Sequence, residues 1–467
     1  MPLVWLDQVF SYTGLLRSAL NLFGHSEWAV RLMSGLAGAL AVPATYRLAR
    51  FVLSRRAALL AALLLCLSPL HITYSEEGAA YAIASPFLAL FLINAVRLTR
   101  EITPRNIIFT AIFAVITGLS HIYLVLFILI IFGLYAASNS DRRFTRVAIA
   151  CMCAVSLMDA PQLVSFLSFR GTSQLESRPI DAWARSYPAR IINSFVSGPL
   201  DENLSSWCTR DYYVPAVDSN TGSIPRTVAW MALATALFWA PFGAFSLARK
   251  NKHAAIWLTA SGGYLLFLIF QSLVTHHAQI RYVVPVLPVL FILFASIADW
   301  PADKWTSNLG AVVMVALLVN FIVILNEDPP GKKWKPDIRT IAARVTEDCR
   351  TTKGVVLIDP EFTEVPLYAF YLDHSECKII RQPAFEDYFY QGEKDQSLLY
   401  RTAEQKRGED AWFGKYFSRE GDAISVAYIV SQRDKDRANA IRDLIKPLFR
   451  HVEQSVYSDI LIIKLSK

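Results

Sequence analysis

The chain has 467 residues, 54% hydrophobic and only 18% charged, against about 25% charged in a soluble domain; disordered, collagen-like and disulfide-scaffold compositions are excluded as well. Its 46 basic and 39 acidic residues leave a net charge of +7, which suits either nucleic-acid binding or the cytoplasmic loops of a membrane protein. Six cysteines without a CxxC spacing supply no zinc motif.

Apolar stretches able to cross about 30 Å of hydrocarbon occupy 28–48, 57–74, 79–96, 106–119, 122–137, 147–169, 228–248, 254–274, 282–298 and 309–325. This predicts a polytopic α-helical membrane protein with about ten transmembrane helices. Residues 106–137 are almost uncharged, too long for one crossing and short for two. Arg97, Arg100 and Arg105 precede them, and Arg142, Arg143 and Arg146 follow. Both basic clusters belong on the cytoplasmic side, so the chain crosses an even number of times between them. Gly118-Leu119-Ser120-His121 is then a tight turn at the outer face.

Arg47, Arg50, Arg55 and Arg56 fall in one further inner loop, and Arg249, Lys250 and Lys252 in another. The alternate loops hold Glu76 and Glu77, or His276, His277 and Arg281, with few other basic residues. The positive excess is therefore a topology signal, and no nucleic-acid partner is expected.

Two longer polar stretches remain. Residues 170–226 form an outer loop with scattered Pro, Gly, Trp and Tyr, suited to an ordered cover over a cleft. In the tail, 326–467, Gly354–Asp359, Val426–Val430 and Ile460–Ile463 read as strands and Ala438–Phe449 as a helix. Alternation of strand and helix predicts a small C-terminal α/β domain, and ten crossings place it outside, with the N-terminal segment 1–27. Cys349 and Cys377 share that domain and are a candidate pair that spacing alone does not establish. Asn203-Leu204-Ser205 is a glycosylation sequon on the same side. Met1 would lie outside with no signal peptide or preceding span, so either the N-terminus is translocated alone or the chain starts late.

The titratable residues near the membrane gather on the outer side: Asp7, Glu76 and Glu77, His121, Asp159, and His276, His277, Arg281 and Tyr282. Ionisable groups near hydrocarbon are costly to keep and point to function. His276 and His277 lack a spaced third ligand, so no metal is expected. Arg281 stands at headgroup depth at the start of a helix, where free amides and the helix dipole also favour an anion. A carboxylate that takes a proton from an acceptor hydroxyl, with an Arg or His neutralising a phosphate leaving group, suits a sugar carried on a lipid phosphate.

At these residues the chain resembles a family. Phe23-Gly24-His25-Ser26-Glu27-Trp28-Ala29-Val30-Arg31-Leu32 is similar to the "FG-x-SE-x-A-x-RL" stretch of bacterial GT-C glycosyltransferases of the protein-mannosyltransferase-like group. Ser54–Ala62, Leu67-Ser68-Pro69 and Tyr74-Ser75 continue the likeness, and Arg281-Tyr282-Val283-Val284-Pro285-Val286-Leu287-Pro288 resembles their "RY-x-x-P-x-x-P" segment. The similar segments are spread over 5–300.

The resemblance implies a GT-C-like fold and transfer of a sugar from a polyprenyl-phosphate donor to a lipid, polysaccharide or protein acceptor. The enzyme would be a multi-pass protein of the inner (plasma) membrane, acting at its outer face without a cofactor. It makes Asp7, in Trp5-Leu6-Asp7-Gln8, the catalytic base; together with the charge argument above, Arg281, Tyr282, His276 and His277 would hold the donor phosphate. Glu76, Glu77, Tyr81, His121 and Asp159 would form the sugar and acceptor site.

Two positions depart from the family pattern: Gln8 stands for its Glu, and Ala79 for the Arg of "YSQEARMYA". The family's Pro-Pro-Leu-Tyr segment, expected between Asp7 and Phe23, has no counterpart, and neither does its first span. A second reading is thus a catalytically weakened member that binds lipid-linked sugar or serves as a scaffold. A third is a proton-coupled transporter using Asp159, although no inverted repeat is evident.

Overall fold

The computed structural model describes residues 14–24, 27–76, 80–172, 241–275, 280–299 and 304–327, then 345–347, 354–358, 378–380, 426–431, 439, 442–443, 446–457 and 460–466. The chain divides into two compact units, Met1–Ser168 with Leu175–Gly331, and Phe169–Gln174 with Lys332–Lys467.

The first unit is helical. Its helices are α1 (Gly14–Phe23), α2 (Glu27–Ala49), α3 (Arg55–Leu67), α4 (Pro69–Glu76), α5 (Ala80–Arg100), α6 (Pro104–Ser120), α7 (Ile122–Ser138) and α8 (Arg142–Thr172). After them come α9 (Lys252–Thr275), a 3₁₀ segment (Ile280–Val286), α10 (Leu287–Ala295), a short 3₁₀ turn (Ser296–Asp299) and α11 (Lys304–Glu327). Gly24 ends α1 with φ of 79°, a left-handed cap that a side chain would strain.

Ser54 caps α3 by accepting from the Ala57 N–H at 3.3 Å. Its own hydroxyl and backbone N–H each donate to the Asp299 carboxylate at 2.5 Å, joining residues 245 apart in sequence. The expected single span over 57–74 is broken: Pro69 cannot continue the ladder of α3, and α4 leaves at 50°.

The expected turn near 118–121 falls at His121, which is extended (φ −166°, ψ 128°) and separates α6 from α7. The span expected over 282–298 begins as a 3₁₀ segment and becomes α-helical only at Leu287, because Pro285 and Pro288 remove two backbone donors.

Among the described residues, Tyr81–Arg100, Lys252–Gln271 and Arg281–Asp299 are long and apolar enough to cross a membrane, and the bent α3–α4 pair would make a fourth crossing. α6, α7 and Gly310–Val319 are apolar but shorter. The core lies where α5 packs on α2, α6 and the 3₁₀ segment, and where α3 packs on α2 and α10. Ala57, Ala58 and Ala61 of α3 and Phe91, Leu92 and Val96 of α5 are buried there.

Apolar side chains also point outward at helical spacing: Leu36 and Leu40 on α2, Ile108 and Ile112 on α6, and Val312, Val315 and Val319 on α11. Water would penalise such faces, whereas hydrocarbon accommodates them.

The second unit contains a mixed sheet of β1 (Gly354–Ile358), β2 (Lys378–Ile380), β3 (Val426–Ser431), β4 (His451–Tyr457) and β5 (Ile460–Ser466), in the order β2-β1-β3-β5-β4. β1 lies parallel to both β2 and β3. β5 runs antiparallel to β3 and to β4, from Val426↔Ser466 on one side and Tyr457↔Ile460 on the other. Ile463 and Leu465 of β5 are buried with half-buried Lys464 between them, the period-two alternation of a strand with one covered face.

Candidate functional site

A cluster of aromatic rings forms where α5 begins, α6 hands over to α7, and the 3₁₀ segment starts. His121 lies 4.8 Å from Tyr123 and 4.9 Å from Tyr282, centroid to centroid. Tyr123 and Tyr282 are 5.1 Å apart. Tyr81 is 5.4 Å from His121 and 5.9 Å from Tyr282, and Tyr74 is 6.1 Å from Tyr81. The Arg281 guanidinium sits 5.6 Å from the centroid of the Tyr81 ring, within cation–π range.

Local chemistry explains how each group is held. His121 is at once the C-cap of α6, its N–H bonded to Gly118 O at 3.0 Å, and the N-cap of α7, its Nδ1 accepting the Tyr123 N–H at 3.3 Å. Burial, with the Arg281 charge second, pulls the His121 imidazole down to about 3. The ring is therefore neutral at ordinary pH, and since Nδ1 accepts, Nε2 carries the proton. His121 thus presents a hydrogen-bond donor beside Arg281.

The 3₁₀ segment positions Arg281 and Tyr282. In 3₁₀ geometry the Tyr282 carbonyl would accept from residue 285, which is proline. The Tyr264 hydroxyl takes that place, donating to Tyr282 O at 2.9 Å. The Ser85 hydroxyl donates to Val284 O at 3.0 Å, an oxygen to which Pro288 cannot donate four residues on. Gln271 Nε2 donates to the Tyr123 hydroxyl, tying the end of α9 to the same cluster.

Of the site residues expected from sequence, the fold thus brings together Tyr81, His121, Arg281 and Tyr282, which come from three separate stretches of chain. Asp159 of α8 is 2% exposed, and its carboxylate oxygens have no hydrogen-bond partner among the described residues. It faces Gly118, one turn before His121; a Cβ at Gly118 would lie 2.5 Å from Asp159 Oδ2, so glycine permits the approach. Glu76 ends α4 and is exposed.

Asp7, Gln8, Glu77, Ala79, His276, His277, Cys349, Cys377, Asn203 and the 173–226 part of the expected outer loop lie outside the described residues. Tyr123, Gln271 and Tyr264 belong to the cluster or its supports but stand inside apolar runs, where tyrosine and glutamine read as helix interior, and Tyr74 enters the sequence reading only through the family likeness. Only the placing of Tyr123 two residues after His121, at the predicted turn, pointed to it.

Among the described residues the cluster offers the Arg281 cation, a neutral imidazole N–H and four phenol groups around aromatic faces. Such a set can hold a phosphate on the cation and a pyranose or furanose ring against the aromatic faces. Among the described residues no three His, Cys, Asp or Glu side chains come together as metal ligands.

Residues 10–163 match the family model described as dolichyl-phosphate-mannose-protein mannosyltransferase. No curated protein sequence matches the chain significantly. Among solved structures, the chain is similar to apo ArnT from Cupriavidus metallidurans at 12% identity and a TM-score of 0.58, covering 98% of this chain and 88% of that one. It is similar to the same protein bound to undecaprenyl phosphate at 13% identity and a TM-score of 0.54, covering 97% and 87%. The apo oligosaccharyltransferase of Archaeoglobus fulgidus is similar at 14% identity and a TM-score of 0.50, covering 90% of this chain and 61% of that one. The chain therefore has the GT-C fold of these structures, and the family-model match covers its N-terminal third, residues 10–163.

Proposed function

We propose that the chain is an inverting glycosyltransferase that moves a sugar from a polyprenyl-phosphate donor to an acceptor hydroxyl at the outer face of the plasma membrane. The observation that carries this reading is the seating of Arg281 over Tyr81 beside the neutral His121. This cluster lies at the end of α5 remote from Arg97 and Arg100, roughly 24 Å away by helix rise. A headgroup-depth cation among aromatic rings suits a lipid-borne phosphate and the sugar attached to it. The match of 10–163 to a family named for a dolichyl-phosphate-mannose donor is consistent with that class of donor.

In the proposed step, the Asp7 carboxylate takes the proton of the acceptor hydroxyl, and that oxygen attacks the anomeric carbon from the face opposite the phosphate. The bond from anomeric carbon to phosphate oxygen breaks, and polyprenyl phosphate leaves with its added charge neutralised by Arg281. Tyr282, His276 and His277 complete the phosphate site, and Glu76, Glu77, Tyr81, His121 and Asp159 shape the sugar and acceptor site. Residues 28–325 are the membrane domain. The 170–226 loop and the 326–467 domain lie outside and bear on the acceptor, a lipid, polysaccharide or protein.

The test is transfer from a panel of polyprenyl-phosphate sugars by the detergent-purified full chain. Asp7→Ala should abolish turnover while leaving donor binding; Arg281→Ala should weaken both. Full activity in both variants overturns the assignment. Gln8 and Ala79 support one second reading, a lipid-sugar binding subunit with weakened catalysis. On that reading the unmodified chain binds donor without turning it over, and Gln8→Glu with Ala79→Arg gains turnover.

A further inference from the structure

At the opposite end of α5 lies a cavity of about 770 Å³. Its polar wall holds Arg97, Arg100 and Arg105 with one carboxylate, Glu101, and the neutral Asn94, Thr103 and Asn106. Its apolar wall is Leu90, Phe109 and Phe113. Arg97 is within Coulomb range of both Arg105 and Arg47, the last arginine of α2. Among the described residues neither Arg97 nor Arg105 forms an ion pair; Glu101 lines the same cavity, exposed like Arg100 and Arg105, and is joined to neither. Arg105 and Arg100 lie against rings instead, 5.8 Å from the centroid of Phe109 and 5.2 Å from that of Phe51.

Like charges this close repel unless an anion joins them, and the first turn of α6, capped by Thr103 with Pro104 at its start, adds the positive end of a helix dipole. Folding has nevertheless collected them. Two features point to the kind of anion. The cavity continues from the guanidinium groups onto Phe109 and Phe113, and Phe109, Ile108 and Ile112 of α6 are exposed apolar side chains. A ligand filling it is amphipathic, with charge at the arginines and hydrocarbon along α6. The basic loop is also where the sequence places the cytoplasmic face.

We propose that the α5–α6 cavity binds an anionic phospholipid of the cytoplasmic leaflet, its headgroup phosphate on Arg97 and Arg105 and an acyl chain against Phe109 and Phe113. Such a lipid screens the Arg47–Arg97–Arg105 repulsion and anchors α2, α5 and α6 together at the inner surface. The site is independent of glycosyl transfer at the other end, so failure of either reading leaves the other standing.

The experiment measures lipid binding to the detergent-purified full chain by native mass spectrometry, titrating phosphatidylglycerol, phosphatidylcholine and, as a separate arm, inorganic phosphate. Phosphatidylglycerol should bind and protect against heat, and phosphatidylcholine should do neither. Arg97→Gln with Arg105→Gln should weaken phosphatidylglycerol roughly 30-fold, about fivefold for each arginine near an anionic lipid. Arg142→Gln with Arg143→Gln, outside the cavity, should leave it unchanged.

Phe109→Ala with Phe113→Ala keeps the charges and should also weaken the lipid, and Arg97→Lys with Arg105→Lys should restore most of it. These two pairs keep the proposal testable where the glutamine pair fails to fold. Equal loss in the Arg142 and Arg143 control, indifference to both the arginine and phenylalanine pairs, or full competition by inorganic phosphate would each overturn the proposal, the last by making this a site for a free anion.

Discussion

Tyr264→Phe tests how the 3₁₀ segment holds Arg281 and Tyr282. The substitution deletes one oxygen and keeps the ring, so the edge-to-face contact with Phe127 at 5.8 Å is preserved. What goes is the 2.9 Å donation to Tyr282 O, a carbonyl whose 3₁₀ donor position, three residues on, is occupied by Pro285. An orphaned acceptor costs about 1–3 kcal/mol when buried. Tyr282 is half-buried, which places the loss at about 1–2 kcal/mol, a factor of about 5–30 in an equilibrium constant.

The variant should therefore unfold at lower temperature in detergent and, on the function proposed above, bind a polyprenyl-phosphate donor more weakly, because the segment bearing Arg281 is less well held. The decisive arm is Pro285→Ala, which supplies the missing N–H three residues after Tyr282. In the double variant Tyr264→Phe with Pro285→Ala, most of the loss should be recovered, a coupling that a double-mutant cycle isolates. Strict additivity of the two substitutions would refute the account, since it would mean that hydroxyl and amide do not serve the same oxygen.

Three further outcomes follow from particular contacts. Gly118→Ala places a methyl 2.5 Å from Asp159 Oδ2 and should destabilise the chain by about 1–3 kcal/mol, as overpacking does; Asp159→Ala in the same chain should relieve most of it, and a melting series that shows no relief rejects the contact. His121 is neutral in the fold with its titration pulled down to about 3, while the unfolded chain takes up a proton near 6.5. Its contribution to stability is therefore complete above about pH 6.5 and lost as the pH falls towards 3. The excess thermal stability of the native chain over His121→Gln should shrink between pH 7.5 and 4.5, and an excess that grows on acidification would contradict the burial argument. Ser54→Ala removes both the cap of α3 and the hydroxyl bond to Asp299, with a cost of about 0.5–2 kcal/mol for the cap. Asp299→Asn in the Ser54→Ala background should then cost less than in the native chain, as denaturation in detergent would read out.

The break at His121 was legible because a nearly uncharged run bracketed by arginines leaves few places to turn, and a polar His after Gly118 is one of them. The bend at Pro69 is present in the sequence as a proline inside an apolar run, yet hydropathy, which sums over a window and ignores a missing N–H, makes that run one span. In the tail, the apolar runs that became β1, β3 and β5 stood out, while β2 with three residues and β4 with the polar pattern His451-Val452-Glu453-Gln454 did not. Such strands owe their place to pairing with a neighbour, a non-local gain that composition does not record.

The candidate site divides in the same way. Arg281 and His121 stand out in the sequence as ionisable groups beside hydrocarbon, whereas Tyr123, Tyr264 and Gln271 look like helix interior and only packing turns them towards one another. The sequence by itself determined the apolar helices and the basic loops, because burial of apolar surface and avoidance of charge in hydrocarbon are sums over local residues. Only the tertiary structure decided that Tyr81, His121 and Arg281 share one cluster and that Arg97 and Arg105 share a cavity with Phe109. Those meetings depend on the rotation and close approach of helices far apart in the chain, set by single contacts such as Gly118 against Asp159 and Tyr264 on Tyr282.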